Sequence, residues 1–271
     1  MPVGAIAKGR RVVVAIVAAA MVAGCQTSAL GRRQLKLMSE AEMSQMGSSA
    51  FAEISAQTPS SRDALKNAKV ACVANAVTAT LAGVNSRTRW EVRVFADDTP
   101  NAFALPGGKI GVNTGLLKVA RTQDQLAAVI GHEIAHVTQG HANERVSTEL
   151  ATQTALQVAS AVADASNPVH GQMIGLLGAG VQVGVLLPYG RKQEREADLI
   201  GLEIMAQAGF DPNESTALWQ NMSKAGGGQP PEFLSTHPSH NSRIYELKRH
   251  MPKAMPLYED AISKGRIPRC F

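Results

Sequence analysis

The chain has 271 residues, of which 45% are hydrophobic, 18% charged and 4% aromatic. That length and apolar share support a substantial core and exclude a mainly disordered or fibrous chain, and so few aromatics exclude a stacking platform for single-stranded nucleic acid. Lys and Arg number 27 against 22 Asp and Glu, but Lys8, Arg10 and Arg11 supply three of the cations, and a body of 24 against 22 offers no electrostatic footing for nucleic acid.

Those three cations precede an apolar stretch, Val12 to Val22, that is too short to span a bilayer and has the length of a secretory h-region. Val22-Ala23-Gly24-Cys25 follows. The run resembles a bacterial lipoprotein signal, in which small residues precede a cysteine that is lipidated and becomes the new N-terminus. The resemblance implies a leader over 1–24, a lipid on Cys25 that binds the membrane at about 0.8 kcal/mol per buried methylene, and a tether over 25–38. With Gln26 rather than Asp next, it implies the outer membrane of a bacterial envelope, on the periplasmic side. Cys72 and Cys270 then remain, either bridged, which would close a loop of nearly 200 residues, or as two buried thiols.

Residues 39–271 read as one domain. Ser39 with Glu42 predicts a capped helix running toward Ala56, and Thr58-Pro59 breaks it. A helix over about Arg62–Leu81 should bury Leu65, Val70, Val73 and Val77. Trp90, Val92 and Val94 alternate as in a half-buried strand, Asn101–Leu105 reads as a second, and Pro106-Gly107-Gly108 turns the chain into a third over Lys109–Asn113. Thr122 with Gln125 heads a helix to about Gly140. Further helices are expected over Ala142–Ala165 and Arg191–Ala208, then from Asp211-Pro212, and last over Ser239–His250. Between them, Met173–Leu187 is apolar, rich in Gly and interrupted by Gln182. It reads as a lid or packed cover, the alternatives being a membrane-dipping segment or plain core. The predicted class is α+β: mainly helical, with a small antiparallel sheet of about three strands beside the helix that carries the motif below.

His132-Glu133-Ile134-Ala135-His136 is an HExxH motif. Residues four apart share a helix face, so both imidazoles can reach one ion, and Glu133 can take a proton from a water polarised there. Zinc suits imidazole donors and needs a third ligand. Arg191–Asp198 is the candidate segment: Glu194, 58 residues beyond His136, and Asp198 are i and i+4. One can coordinate the ion while the other hydrogen-bonds a ligand histidine.

These separated motifs together resemble the HExxH gluzincin metalloprotease family of the CAAX prenyl protease, HtpX and the periplasmic lipoprotein proteases LoiP and BepA, over about Trp90–Met251. The resemblance implies a zinc endopeptidase. Its ligands would be His132, His136 and Glu194 (not Glu196), with Asp198 as supporting carboxylate and Glu133 as base. It implies that Asn101, Ala102, Phe103 and Ala104 form an edge strand binding extended polypeptide. It further implies that His237 stabilises the intermediate or gates the metal, supported by Arg243; read alone, His237 is a loop histidine before a proline. His141, His170, His240 and His250 read as surface or structural. Misfolded or misassembled envelope proteins are the expected substrates. The rival is a chaperone or assembly factor that binds extended chains with latent protease activity, and a purely structural zinc site is a further alternative.

Overall fold

The computed structural model describes residues 25–162, 189–225, 232–237 and 242–271. The expected leader over 1–24, the apolar segment 173–187, the 226–231 loop, His170, Pro238 and His240 lie outside the described residues. These fall into two compact units, 25–39 with 142–162 and 40–141 with 189–271. No helix among them is long and apolar enough to cross a membrane.

In the first unit, the segment read as a tether forms a short antiparallel hairpin, β1 (Cys25–Thr27) and β2 (Arg33–Leu35), with Cys25 opposite Leu35. Side chains of the helix α4 (His141–Val162) fasten it. Arg32 pairs with Glu144, its Nη2 lying 2.7 Å from Oε2. Leu37 N donates to Ser147 Oγ at 2.8 Å, and Met38 N donates to Asn143 Oδ1 at 3.3 Å.

The second unit holds α1 (Glu40–Gln57), α2 (Ala64–Thr78), a three-stranded sheet, α3 (Gln123–Thr138), α5 (Arg191–Gln207), α6 (Glu214–Ala225), α7 (Glu232–Thr236) and α8 (Arg243–Ser263). Asp63 caps α2 by accepting from Leu65 N and Lys66 N, both at 3.1 Å. Val70, Val73 and Val77 of α2 are fully buried, whereas Leu65 is 75% exposed, because five residues before Val70 lie about 140° round the helix. The sheet contains β3 (Glu91–Phe95), β4 (Ala102–Leu105) and β5 (Lys109–Asn113) in the order β3-β5-β4. Gly107 and Gly108, at φ +82° and +78°, form the tight turn that makes β4 and β5 an antiparallel hairpin. The third strand, β3, joins the far side of β5 in parallel, so the small sheet is mixed and β4 is left at an edge.

Thr122 caps α3 by accepting from Gln125 N at 3.1 Å. Leu126, Val129, Ile130 and Ile134 are all fully buried on it, each worth roughly 1.5–3 kcal/mol relative to exposure. The α3 and α5 axes approach closely where two glycines meet. A Cβ on Gly201 would lie 2.7 Å from His132 N, and one on Gly131 would lie 2.8 Å from Gly201 O. The last helix is longer than expected and continues past Pro252 and Pro256 to Ser263. Burial of Ala254 and Ala261 beyond each proline offsets the backbone bonds that proline cannot make.

Cys72 and Cys270 form a disulfide, with Cα atoms 5.6 Å apart at a sequence separation of 198. Gln123 fastens the same tail, accepting from Cys270 N at 2.7 Å and donating to Pro268 O at 2.9 Å. Loop-closure entropy puts the bridge at about 5 kcal/mol at most. Cys270→Ala should therefore lower the thermal midpoint, as should reduction of the native protein; an unchanged midpoint with titratable free thiols would contradict the loop-closure account. Gly201→Ala should cost about 1–3 kcal/mol through overpacking and lower bound zinc together with stability. Wild-type stability and zinc content in that variant would show that the crossing tolerates a methyl group.

Candidate metal centre

The α3–α5 crossing sets His132, Glu133 and His136 opposite Glu194, Glu196 and Asp198, and all six are buried. His132, His136, Glu194 and His237 each offer one donor atom to a common group within 4.8 Å. His132 Nε2 lies 3.1 Å from His136 Nε2 and 3.3 Å from His237 Nδ1. Glu194 Oε1 lies 3.3 Å from His136 Nε2 and 3.0 Å from His237 Nδ1.

The residues around the cluster orient it. Asp198 Oδ1 sits 3.0 Å from His132 Nδ1, and a carboxylate that close favours a proton on this outer nitrogen, which leaves the Nε2 lone pair for the group. Arg243 donates through Nε to Asp198 Oδ2 at 2.8 Å and through Nη2 to Glu194 Oε2 at 2.6 Å, fixing both carboxylates from one guanidinium. It lies over Trp219, 4.0 Å from the ring centroid. Phe233 stacks on His237 at 4.4 Å, and Tyr189 on His136 at 3.8 Å.

Glu133 stands at the border of the group. Its Oε2 accepts from Ala104 N at 3.2 Å, and its Oε1 is 3.4 Å from His237 Nε2. Burial pushes its carboxyl upward in pKa, against the pull of His237 and His132, toward the range where a base can both take and release a proton. Burial disfavours ionised Glu194, but its bonds to His136 and His237 win and hold that carboxyl well below the usual range. Burial keeps His136 neutral. His132 is also disfavoured as a cation by burial, yet the Asp198 bond and the charges of Glu194, Asp198 and Glu133 raise it.

The arrangement fits zinc on two counts. A tetrahedral ion with bonds of about 2.0–2.1 Å separates its donors by roughly 3.3–3.4 Å, and His132 Nε2, His136 Nε2, His237 Nδ1 and Glu194 Oε1 make four contacts of 3.0–3.3 Å in a group that spans at most 4.8 Å. Imidazole lone pairs and carboxylate oxygens also face one another in a site where Glu133, Glu194 and Asp198 are balanced by Arg243, an excess of negative charge that a divalent cation would offset.

The expected ligands His132, His136 and Glu194 thus lie together. His237 joins them, while Asp198 and Arg243 touch the ligands rather than the open face. Asn101–Ala104 runs past Glu133. Cys25 lies in the first unit. Sequence reasoning left His141 as surface or structural and gave it no place at the site: it is fully buried, 2.9 Å from His136 Nδ1 and 3.1 Å from Glu196 Oε2 through its two ring nitrogens. Its signal was a third histidine five residues past the motif, directly after Gly140. Tyr189, Trp219 and Phe233 carried no signal, since their roles depend on stacking between separate elements. His250 pairs with Glu203 at 2.6 Å, away from this group.

The model of the family described as Peptidase family M48 matches residues 64–251. A mitochondrial metalloendopeptidase OMA1 of Schizosaccharomyces pombe is 43% identical over 171 residues, covering 62% of this chain and 49% of its own length. Its Saccharomyces cerevisiae counterpart is 34% identical over 204 residues, covering 68% and 54%. A beta-barrel assembly-enhancing protease of Escherichia coli is 29% identical over 178 residues, covering 63% and 36%. The chain spans about half the length, or less, of these relatives. They correct the expected bacterial outer-membrane, periplasmic location: the relatives of higher identity are mitochondrial by name. The physical reason is that a short cationic leader free of acidic residues is common to secretory and organellar addresses, so Lys8, Arg10 and Arg11 do not define a compartment.

Glu194→Gln keeps an oxygen for Arg243 but removes a charged donor. It should leave substoichiometric zinc after dialysis by metal analysis, where wild type retains about one equivalent. Equal zinc in both would remove Glu194 from the ligand set.

Proposed function

The chain belongs to peptidase family M48, and from that membership and the cluster just described we propose that it is a zinc-dependent metalloendopeptidase. The observation that carries this reading is Glu133: a buried carboxylate on the same helix as two donor histidines, tied to the backbone of an edge strand. Zinc held by His132, His136 and Glu194 would supply Lewis-acid polarisation of a peptide carbonyl and of water. Glu133 takes the proton from that water and passes it to the departing amine, with Ala104 N–H keeping one carboxylate oxygen in place. No covalent intermediate with the chain is required.

Asn101–Ala104 presents the substrate strand. Asn113 N bonds Asn101 O at 3.0 Å, and alternate residues of an antiparallel ladder bond the same neighbour. Phe103 and Leu105 therefore turn their backbone groups to β5, while Ala102 and Ala104 turn theirs to the other edge, where Ala104 N already meets Glu133 and its carbonyl is left for a substrate strand. An extended polypeptide adding there would run alongside Glu133. His237, stacked on Phe233 and touching both Glu194 and Glu133, is the proposed gate of the donor group. Asp198 and Arg243 hold ligands in orientation. Cys25, exposed and outside the disulfide, is the proposed site of lipid attachment to a membrane, and misfolded or misassembled polypeptides are the proposed substrates.

Glu133→Gln separates hydrolysis from simple binding. It should retain zinc at the wild-type level and lose about 10²–10⁴-fold in casein cleavage. Persistent cleavage would remove Glu133 as the base. An intact cellular phenotype in the cleavage-dead variant would favour the assembly-factor reading.

A further inference from the structure

His136 presents Nε2 to the donor group, 3.1 Å from His132 Nε2 and 3.3 Å from Glu194 Oε1. A ring that offers Nε2 to a cation carries its proton on Nδ1. That atom lies 2.9 Å from His141 Nδ1, so the proton is donated there. With its Nδ1 acting as acceptor, neutral His141 carries its own proton on Nε2, 3.1 Å from Glu196 Oε2. A carboxylate only accepts, which closes the chain of donors in one direction. This order, His136 to His141 to Glu196, satisfies both bonds with both rings neutral.

The arrangement is locked from several sides. His141 is fully buried and Glu196 is 2% exposed. Gln193 Nε2 donates to the His141 carbonyl at 3.4 Å, and the Tyr189 ring covers a face of His136. Glu194 and Glu196 divide their tasks by position: two residues apart on one helix, they are turned about 160° from each other, Glu194 toward the donor group and Glu196 toward His141. His132 is served directly by Asp198, whereas His136 reaches its carboxylate through an intervening ring.

We propose that His141 and Glu196 are a relay of positioning residues, fixing the tautomer and orientation of His136 and strengthening it as a metal ligand. This rests on the zinc-site reading above. Partners of this kind typically contribute 10–100-fold to metal affinity.

The test is the Zn²⁺ dissociation constant of the full chain, by chelator competition, beside the thermal midpoint of the metal-free protein. His141→Phe keeps the ring volume and removes both nitrogens; it should weaken Zn²⁺ binding 10–100-fold. Glu196→Gln still offers an oxygen to His141 and should show a smaller loss. A folded His141→Phe protein that binds Zn²⁺ within twofold of wild type, its cost confined to the metal-free midpoint, overturns the relay. Should that variant not fold, nitrogen-15 spectra of the Zn²⁺-loaded wild type decide: protons on His136 Nδ1 and His141 Nε2 are expected, and a proton on His141 Nδ1 overturns the proposal. A wild-type chain that binds no Zn²⁺ would instead sink the metalloendopeptidase reading.

Discussion

The close approach of α3 and α5 is the constraint on which the site depends. Gly131 and Gly201 leave no room for a side chain at the crossing, so the two helices sit near enough for residues on one to touch residues on the other across a single layer of side chains. A methyl group at Gly201 would press on the backbone of His132, whose ring is one of the donors. The apolar residues of α3 hold it against the rest of the core, and the imidazoles therefore project from a rigid element.

The polar side of that crossing is an exercise in satisfying buried charge. An isolated carboxylate in such a place costs several kcal/mol. Here each one has a specific partner: Asp198 has His132 and Arg243, Glu194 has Arg243 and the histidines, Glu196 has His141, and Glu133 has the Ala104 amide. Each contact also sets a direction, since the partner decides which oxygen or ring nitrogen is left to face the donor group. Orientation of the ligands and compensation of their desolvation are thus the same set of bonds.

Legibility from sequence followed the range of the interaction. The HExxH spacing is local and helical, so the facing of His132 and His136 could be read directly, as could the Thr122 cap, the strand β3 and the two strands flanking the Gly107-Gly108 turn. The i, i+4 pairing of Glu194 and Asp198 put them on one face, but which carboxylate meets the ion depended on family resemblance, since Glu196 is chemically identical. His141 stayed open between surface and structural, because only the tertiary fold brings it against His136 and Glu196. Leu65 failed for the opposite reason: an apolar residue in a first turn need not share the face of Val70. The parallel β3–β5 pairing was not visible either, because strand order is set by packing against helices and not by the hairpin turn. The compartment was over-read: Val22-Ala23-Gly24-Cys25 and Gln26 resemble a bacterial signal, yet the relatives of higher identity are mitochondrial by name.

The most direct test of the central claim is zinc-edge anomalous diffraction from crystals of the zinc-loaded chain. One peak should lie about 2.0–2.1 Å from His132 Nε2 and His136 Nε2, with a Glu194 oxygen at similar distance and Glu133 outside direct coordination. A peak elsewhere on the chain, or none between those imidazoles at full zinc occupancy in solution, would contradict the account.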